Sequence, residues 1–407
     1  QRIAPRITAG AAAQGNLLAN QLRSFCMSAA PLFQRLRFIP APFDAAAGAY
    51  AVAALAGPPP AERARFMEGV AGCSPFLARL IARAPERALA LFDRAPEEAV
   101  AAACARAFAA ADASDPAAQM KALREAKADA ALALSFAEIG EAVSTMEAAR
   151  LWSVFADAAI GAATRAALRG LERSGFKPAD PARPEEGSGL AVIAMGKLGA
   201  MELNFSSDID LVILFDNDGA ALGGEARKLG VAAAKAIVKL LNDQTADGYV
   251  FRTDLRLRPD PGVSAAAVSV NAAEAYYQSF GQNWERAAFI KARAGAGDMA
   301  LGGDFIQRLR PFIWRKYFDF ATIADSHAMK RQIQTVKGHE TIAVAGHNVK
   351  LGRGGIREIE FFVQTQQLVF GGRRVALRGP RTLEMLAELT REGWLTPTAS
   401  ARPASPA

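Results

Sequence analysis

At 407 residues the chain is long enough for two or three domains, and its 51% hydrophobic content supplies a sizeable core. A formal charge of +7 and a pI near 9.4 point to anionic partners such as nucleotides, nucleic acid or an acidic protein; an Arg- and Ala-rich chain also follows from a GC-rich coding bias. No Lys/Arg block is long enough for a nucleic-acid arm, no apolar run is long enough to span a bilayer, and Cys26, Cys73 and Cys104 lack metal-type spacing, while their odd, small count argues against a disulfide scaffold and for a reducing, cytoplasmic compartment.

Residues 1–60 read as an irregular N-terminal segment, with Pro40, Pro42 and the run Pro58-Pro59-Pro60. The start, Gln1-Arg2-Ile3-Ala4, has neither an initiator Met nor a signal-peptide pattern, so a fragment or processed chain is expected. Residues 61–175 form a helical region: apolar positions recur at three and four in Phe76-Leu77-Leu80-Ile81 and in Leu151-Trp152-Val154-Phe155, with Asp115-Pro116 marking a turn. Residues 177–189 are a linker by composition. A strand follows at Leu190–Ala194, then a Gly-rich turn and a second strand leading into Val212-Ile213-Leu214-Phe215. A helix is predicted from about Gly224 to Thr245, with Leu229, Ala233, Ile237, Leu240 and Leu241 on one face. A third strand runs from Tyr249 to Arg258. From Ala272 the chain is helical again, broken at Gly295-Ala296-Gly297-Asp298, at Pro311 and at Gly352-Arg353-Gly354-Gly355. These divisions make residues 190–300 a mixed α/β core, 301–395 a truncated helical bundle and 396–407 a disordered tail.

The chemistry concentrates between Gly196 and Leu211. Asp208 and Asp210 are two apart on a strand and face one side together, while Ile209 and Leu211 face a core. Two carboxylates so placed repel unless a cation lies between them. Hard oxygen ligands suit Mg²⁺ that also holds phosphate, and the glycine turn lets a phosphate approach the backbone. This is a site for moving a phosphoryl or nucleotidyl group. On the third strand Phe251, Thr253, Leu255 and Leu257 alternate with Arg252, Asp254, Arg256 and Arg258. Alone it reads as an amphipathic edge strand with a solvated charged face. Beside Asp-x-Asp, Asp254 becomes a third carboxylate and the arginines become bidentate phosphate ligands.

Lys291 and Arg293 stand at a predicted helix end, as phosphate contacts or as dipole partners. Lys350, Arg353, Arg357 and Glu358 flank a glycine-broken helix start, which is an anion site in principle or a capped helix with solvated charges. His327, His339 and His347, even with Glu340, lack ligand-pair spacing for zinc. Trp284, Trp314 and Trp394 are expected in packing, and residues 361–368 as a buried amphipathic helix.

The Gly-to-Asp-x-Asp spacing resembles the nucleotidyltransferase superfamily related to DNA polymerase β. Gly196-Lys197 stands where Gly-Ser is usual, so Lys197 replaces the hydroxyl contact as a point charge or is a solvated turn residue. The stretch from Met195-Gly196-Lys197-Leu198-Gly199 through Glu202-Leu203-Asn204-Phe205-Ser206-Ser207-Asp208-Ile209-Asp210-Leu211 resembles, more narrowly, the bacterial glutamine-synthetase adenylyltransferase/adenylyl-removing enzymes. Four further stretches are similar to that family: residues 248–259, residues 281–286 leading to Lys291-Ala292-Arg293, Phe312–Tyr317, and residues 350–361. Together they span residues 190–372.

The resemblance implies a polymerase-β-like core at 190–300, between an N-terminal helical region and a C-terminal helical bundle. It implies Asp208, Asp210 and Asp254 as catalytic ligands of two Mg²⁺ ions, with ATP, ADP and inorganic phosphate as substrates or products. Nucleotide or phosphate contacts fall to Gly196, Lys197, Ser206, Ser207, Arg252, Arg256, Arg258, Lys291, Arg293, Lys350, Arg353, Arg357 and Glu358. The implied partners are glutamine synthetase, PII-type signal proteins and a second adenylyltransferase domain in the full-length chain, with no nucleic acid and no membrane. The wording Glu-Leu-Asn-Phe-Ser-Ser-Asp-Ile-Asp and the long helical lead resemble the N-terminal, adenylyl-removing half. That half splits adenylyl-tyrosine with phosphate to give ADP. AMP transfer from ATP and a catalytically weak regulatory nucleotide-binding domain are the alternatives.

Overall fold

The structure is a computed structural model that describes residues 30–316, apart from 54, 56, 58 and 114, and residues 347–396. The first 60 residues are not irregular throughout. Helices α1 (Leu32–Arg35) and α2 (Ala45–Ala53) form there, α2 being started by Asp44, whose carboxylate accepts the Ala47 N–H. Six more helices follow: α3 (Ala61–Cys73), α4 (Pro75–Arg83), α5 (Pro85–Ala90), α6 (Pro96–Ala110), α7 (Pro116–Ile139) and α8 (Thr145–Leu171). Proline opens four of them, where its missing N–H costs nothing. Ser74, Asp115 and Ser144 cap α4, α7 and α8.

A mixed five-stranded sheet then forms from β1 (Leu190–Ala194), β2 (Ile209–Phe215), β3 (Thr253–Asp254), β4 (Ala267–Ser269) and β5 (Arg293–Gly297). β1 runs antiparallel to β2 and to β5, while β3 and β4 both pair parallel with β2. The short helix α9 (Gly196–Gly199) lies between β1 and β2, and α10 (Ala226–Asn242) follows β2 with Leu229, Ala233, Ile237, Leu240 and Leu241 buried as expected. Then come α11 (Val270–Ser279), α12 (Asn283–Phe289), α13 (Met299–Ile313), α14 (Ile356–Phe370) and α15 (Thr382–Arg391).

The central strands are buried on both faces, which is why they read as continuous apolar runs. Leu190, Val192, Leu211, Ile213 and Phe215 face a core shared with α6, α7, α8 and α10. Ile193, Val212 and Leu214 face a second core containing Tyr277 of α11 and Phe305 and Leu309 of α13. The helical region is therefore continuous with the sheet. A separate cluster, with Phe66, Phe92 and Phe136 packed ring to ring, lies further out.

Four expectations need correction. The third strand is two residues long, not ten, because Asp254 accepts the backbone N–H of Arg256 at 2.8 Å and turns the chain. The alternation of Leu255, Arg256, Leu257 and Arg258 is therefore not that of a strand. The glycines at 295 and 297 do not break a helix; they belong to β5, where Gly297 has φ +77° and a Cβ there would lie 2.2 Å from the Leu190 carbonyl. Pro311 sits inside α13, close enough to its end to forfeit a single helix bond. Trp284 is 41% exposed, not packed inside. Trp394 meets Phe370 edge-on at 4.2 Å, and Trp314 is half-buried beside Arg378. The helix expected over 361–368 lies within α14, with Val363, Gln367 and Leu368 buried.

Candidate active site

β2 and β3 are in parallel register with Asp210 opposite Asp254, so the two carboxylates project from the same side of the sheet. Asp208 lies two residues ahead of Asp210, just before β2 begins. Burial first, then the charges of Asp254 and Asp208, push the Asp210 carboxyl up to about 6. The turn after β1 closes over this residue. Gly196 has φ +54°, and a Cβ there would stand 2.4 Å from Asp210 Oδ2, so only glycine fits both backbone and neighbour. The Met195 N–H donates to the Asp210 carbonyl at 2.9 Å.

The other two carboxylates hold guanidinium groups. Arg252 Nε donates to Asp208 Oδ1 at 2.5 Å, while its other nitrogens reach the Ser206 carbonyl at 2.5 Å and Tyr249 Oη at 2.9 Å. Arg256 grips Asp254 through Nε at 2.9 Å and Nη2 at 2.5 Å, which keeps that carboxyl below its ordinary range. Among the described residues, no three His, Cys, Asp or Glu side chains form a ready metal cage. Arginine holds two of the three acids. The donor set nevertheless fits a hard divalent cation: all-oxygen, paired across two strands, with Asp210 short of positive charge.

Lys197 is exposed in the turn, Ser206 is exposed and Ser207 half-buried in the bend ahead of Asp208. The remaining predicted ligands lie elsewhere. Arg258 spends its guanidinium on the carbonyls of Leu255, Pro261, Ser264 and Ala265 and ties a loop. Lys291 is buried in an ion pair with Glu360 of α14. Arg293 opens β5, not a helix end, and donates to Asp157 at 2.7 Å and to the Leu198 carbonyl at 3.1 Å. Both support the turn from behind: a Cβ at Gly199 would meet the Lys291 carbonyl. Around Lys350 and Arg353 the bonds are those of a local turn, with Glu358 accepting the Gly354 N–H at 2.6 Å and the Arg357 N–H meeting the Lys350 carbonyl. His347 contacts the Arg353 carbonyl; His327, His339 and Glu340 lie outside the described residues.

Sequence reasoning missed the part played by α8. The Trp152 ring packs on Phe205 at 5.2 Å and on Phe251 at 5.4 Å, the residues just upstream of Asp208 and Asp254. Ser153 Oγ accepts the Leu203 N–H at 3.0 Å, and Asp157 holds Arg293. One helix thus sets both carboxylate-bearing segments. The available signal was Ser153 and Asp157, four apart in an otherwise apolar run. Lys127 of α7 was missed as well. It donates to the Tyr249 carbonyl at 3.1 Å beneath the Tyr249 ring, and burial, with Arg124 and Arg252 nearby, pushes it down to about 8.

The family model described as glutamate-ammonia ligase adenylyltransferase matches residues 64–308. The chain belongs to this family. Relatives named bifunctional glutamine synthetase adenylyltransferase/adenylyl-removing enzyme include one from Xanthobacter autotrophicus, 50% identical over 81% of this chain, and one from Mesorhizobium japonicum, 51% identical over 81%. One from Rhizobium meliloti is 51% identical over 68% of the chain. The chain spans about a third of the length of these relatives: 34%, 34% and 28%. A second family model, described as PII-uridylyltransferase, matches residues 327–403 of this family member. Among the described residues, no helix is long and apolar enough to cross a membrane.

Proposed function

We propose that this chain is the adenylyl-removing unit of a glutamine-synthetase-modifying enzyme, built on a polymerase-β-like core. The observation that carries the nucleotidyl-transfer chemistry, common to both directions, is the Asp210–Asp254 pairing across parallel strands, with Asp208 two residues upstream and Gly196 closed over Asp210. The Glu202–Asp210 wording and the long helical lead favour the removing half, and the one-third coverage of the relatives fits a single unit of a larger enzyme.

In the proposed reaction an oxygen of inorganic phosphate attacks the α-phosphorus of adenylyl-tyrosine in line. The bond from phosphorus to the tyrosine oxygen breaks, and that oxygen takes the proton of the incoming hydrogen phosphate, leaving tyrosine and ADP. Asp208, Asp210 and Asp254 would hold Mg²⁺, which would supply charge neutralisation at the phosphate groups. Gly196 leaves the backbone open to phosphate oxygens, and Arg252 and Arg256 offer planar forks to them on releasing the carboxylates. Positioning and charge neutralisation provide the acceleration. A PII-type signal protein is the proposed regulator, a role supported by the uridylyltransferase match.

A second reading is AMP transfer from ATP to the same tyrosine. The printed names of the relatives carry both activities, and the same carboxylates serve either direction. The test supplies adenylylated glutamine synthetase, Mg²⁺ and phosphate and follows ADP. Asp210→Asn should lower turnover by roughly 10²–10³-fold, as for loss of other single electrostatic stabilisers. AMP incorporation from ATP without ADP release would transfer the assignment to the second reading.

A further inference from the structure

We propose that the outer face of α10 docks an acidic segment of the protein substrate, an inference that rests on the preceding reading. α10 buries Leu229, Ala233, Ile237 and Leu241 against α8 and the sheet. Its opposite side presents Arg227, Lys228, Lys235 and Lys239, all exposed, and the helix contains no Asp or Glu. Lys228 pairs with Glu225 at 2.7 Å; among the described residues no ion pair neutralises Arg227, Lys235 or Lys239.

Of these four only Lys239, in the last turn, is favoured by the helix dipole. Arg227 and Lys228 stand in the first turn, where the helix dipole disfavours cations, and Lys235 and Lys239 repel one another four residues apart. Beside them a groove of about 720 Å³ is lined by Arg227, Lys228, Lys235, Val231, Ala232 and Ala265, with Gly224 and Glu225 at its end, where Glu225 is taken up by Lys228. Arg227 and Lys235, left without acidic partners around small apolar residues, suit acidic side chains flanking an apolar one. No aromatic side chain lines the groove for base stacking, so nucleic acid fits it less well.

The face is also rigidly tied to the site. The Leu241 carbonyl accepts the N–H groups of Val250 and Phe251, which lead into β3 and Asp254, and Ala265 lies in the loop from β3 to β4. A protein held on α10 is thereby registered against the strand that carries the third carboxylate. Positive charge around such a contact raises both encounter rate and selectivity for an acidic partner.

The test compares wild type with the triple variant Arg227→Glu/Lys235→Glu/Lys239→Glu and with the milder triple Gln variant, all checked for helicity by circular dichroism. Two substrates are used: intact adenylylated glutamine synthetase and a short adenylyl-tyrosyl peptide. Charge reversal should raise KM and the directly measured Kd for the intact protein by about tenfold or more, with a smaller rise for Gln, and leave the peptide's kcat/KM unchanged. Wild-type affinity for the intact protein should weaken as salt rises from about 50 to about 300 mM. Unchanged binding in the reversed variant overturns the proposal, as does equal loss on both substrates. So does tighter binding of single-stranded DNA of about 20 nucleotides than of the protein, lost in the same variant. If neither substrate turns over in wild type, the preceding reading fails, and the binding comparison still decides the docking face.

Discussion

Replacing Asp157 by Ala removes the carboxylate that neutralises Arg293, and the size of the effect follows from where the two groups sit. The side chains are 6% and 26% exposed, 2.7 Å apart. Removing one partner of a buried pair costs about 3–5 kcal/mol, because the other charge stays behind uncompensated. Water reaches part of Arg293, which brings the loss below that range, to about 2–3 kcal/mol. Urea denaturation should show a lower midpoint with an unchanged m value. Arg293 also holds the Leu198 carbonyl, so turnover should fall as the turn over Asp210 loosens. Burial pushes the Asp157 carboxyl above its ordinary value even though Arg293 pulls it down. Desolvation thus outweighs attraction, and Asp157→Ala/Arg293→Met should regain most of the lost stability. A loss under about 0.5 kcal/mol for Asp157→Ala, with tighter phosphate binding, would refute this reasoning and make Arg293 a phosphate ligand after all.

Gly196→Ala should cost about 1–2 kcal/mol for its left-handed backbone and, by displacing Asp210, lower turnover about 10²-fold in single-turnover kinetics; more than half of wild-type activity would contradict the close approach. Arg252→Met should change stability by no more than about 1 kcal/mol, since that pair is 46% and 48% exposed. The same variant should bind Mg²⁺ or Mn²⁺ more tightly in calorimetry because Asp208 is released; weaker binding would mean that Arg252 does not compete with a cation. Lys127, pushed down to about 8 by burial, gives a pH signature. Below pH 8 it is protonated folded and unfolded, and the folded state bears the full cost of burying the charge. Between pH 8 and about 10.4 the unfolded chain holds more protons, so stability rises with pH by about 2 kcal/mol after allowance for partial exposure. Lys127→Met should abolish that rise in denaturation series at stepped pH.

The parts of the fold that were legible are those where local pattern and burial agree. β1 and β2 are apolar runs buried on both faces, α10 has a single apolar stripe, and Asp208 and Asp210 stand two apart on a strand edge. Asp254 was legible because it precedes the turn that ends the third strand. Arg256 and Arg258 lie beyond that turn, where the hydrogen bond that the Asp254 carboxylate accepts from the Arg256 N–H overrides the alternation. β5 was hidden by its glycines, whose role is close approach to β1, and the ion pairs of Lys291 and Arg293 were hidden because their acidic partners, Glu360 and Asp157, are remote in sequence. The same remoteness hid α8: nothing local in Trp152 announces contact with Phe205 and Phe251.

Radiolabelled phosphate reads the direction of the reaction at Asp208, Asp210 and Asp254. Incubated with adenylylated glutamine synthetase and Mg²⁺, the chain should place the label in the β-phosphate of ADP, and Asp210→Asn and Asp254→Asn should prevent it. Label that stays in free phosphate, while wild type adds AMP to glutamine synthetase from ATP, would make this unit the AMP-transferring one instead.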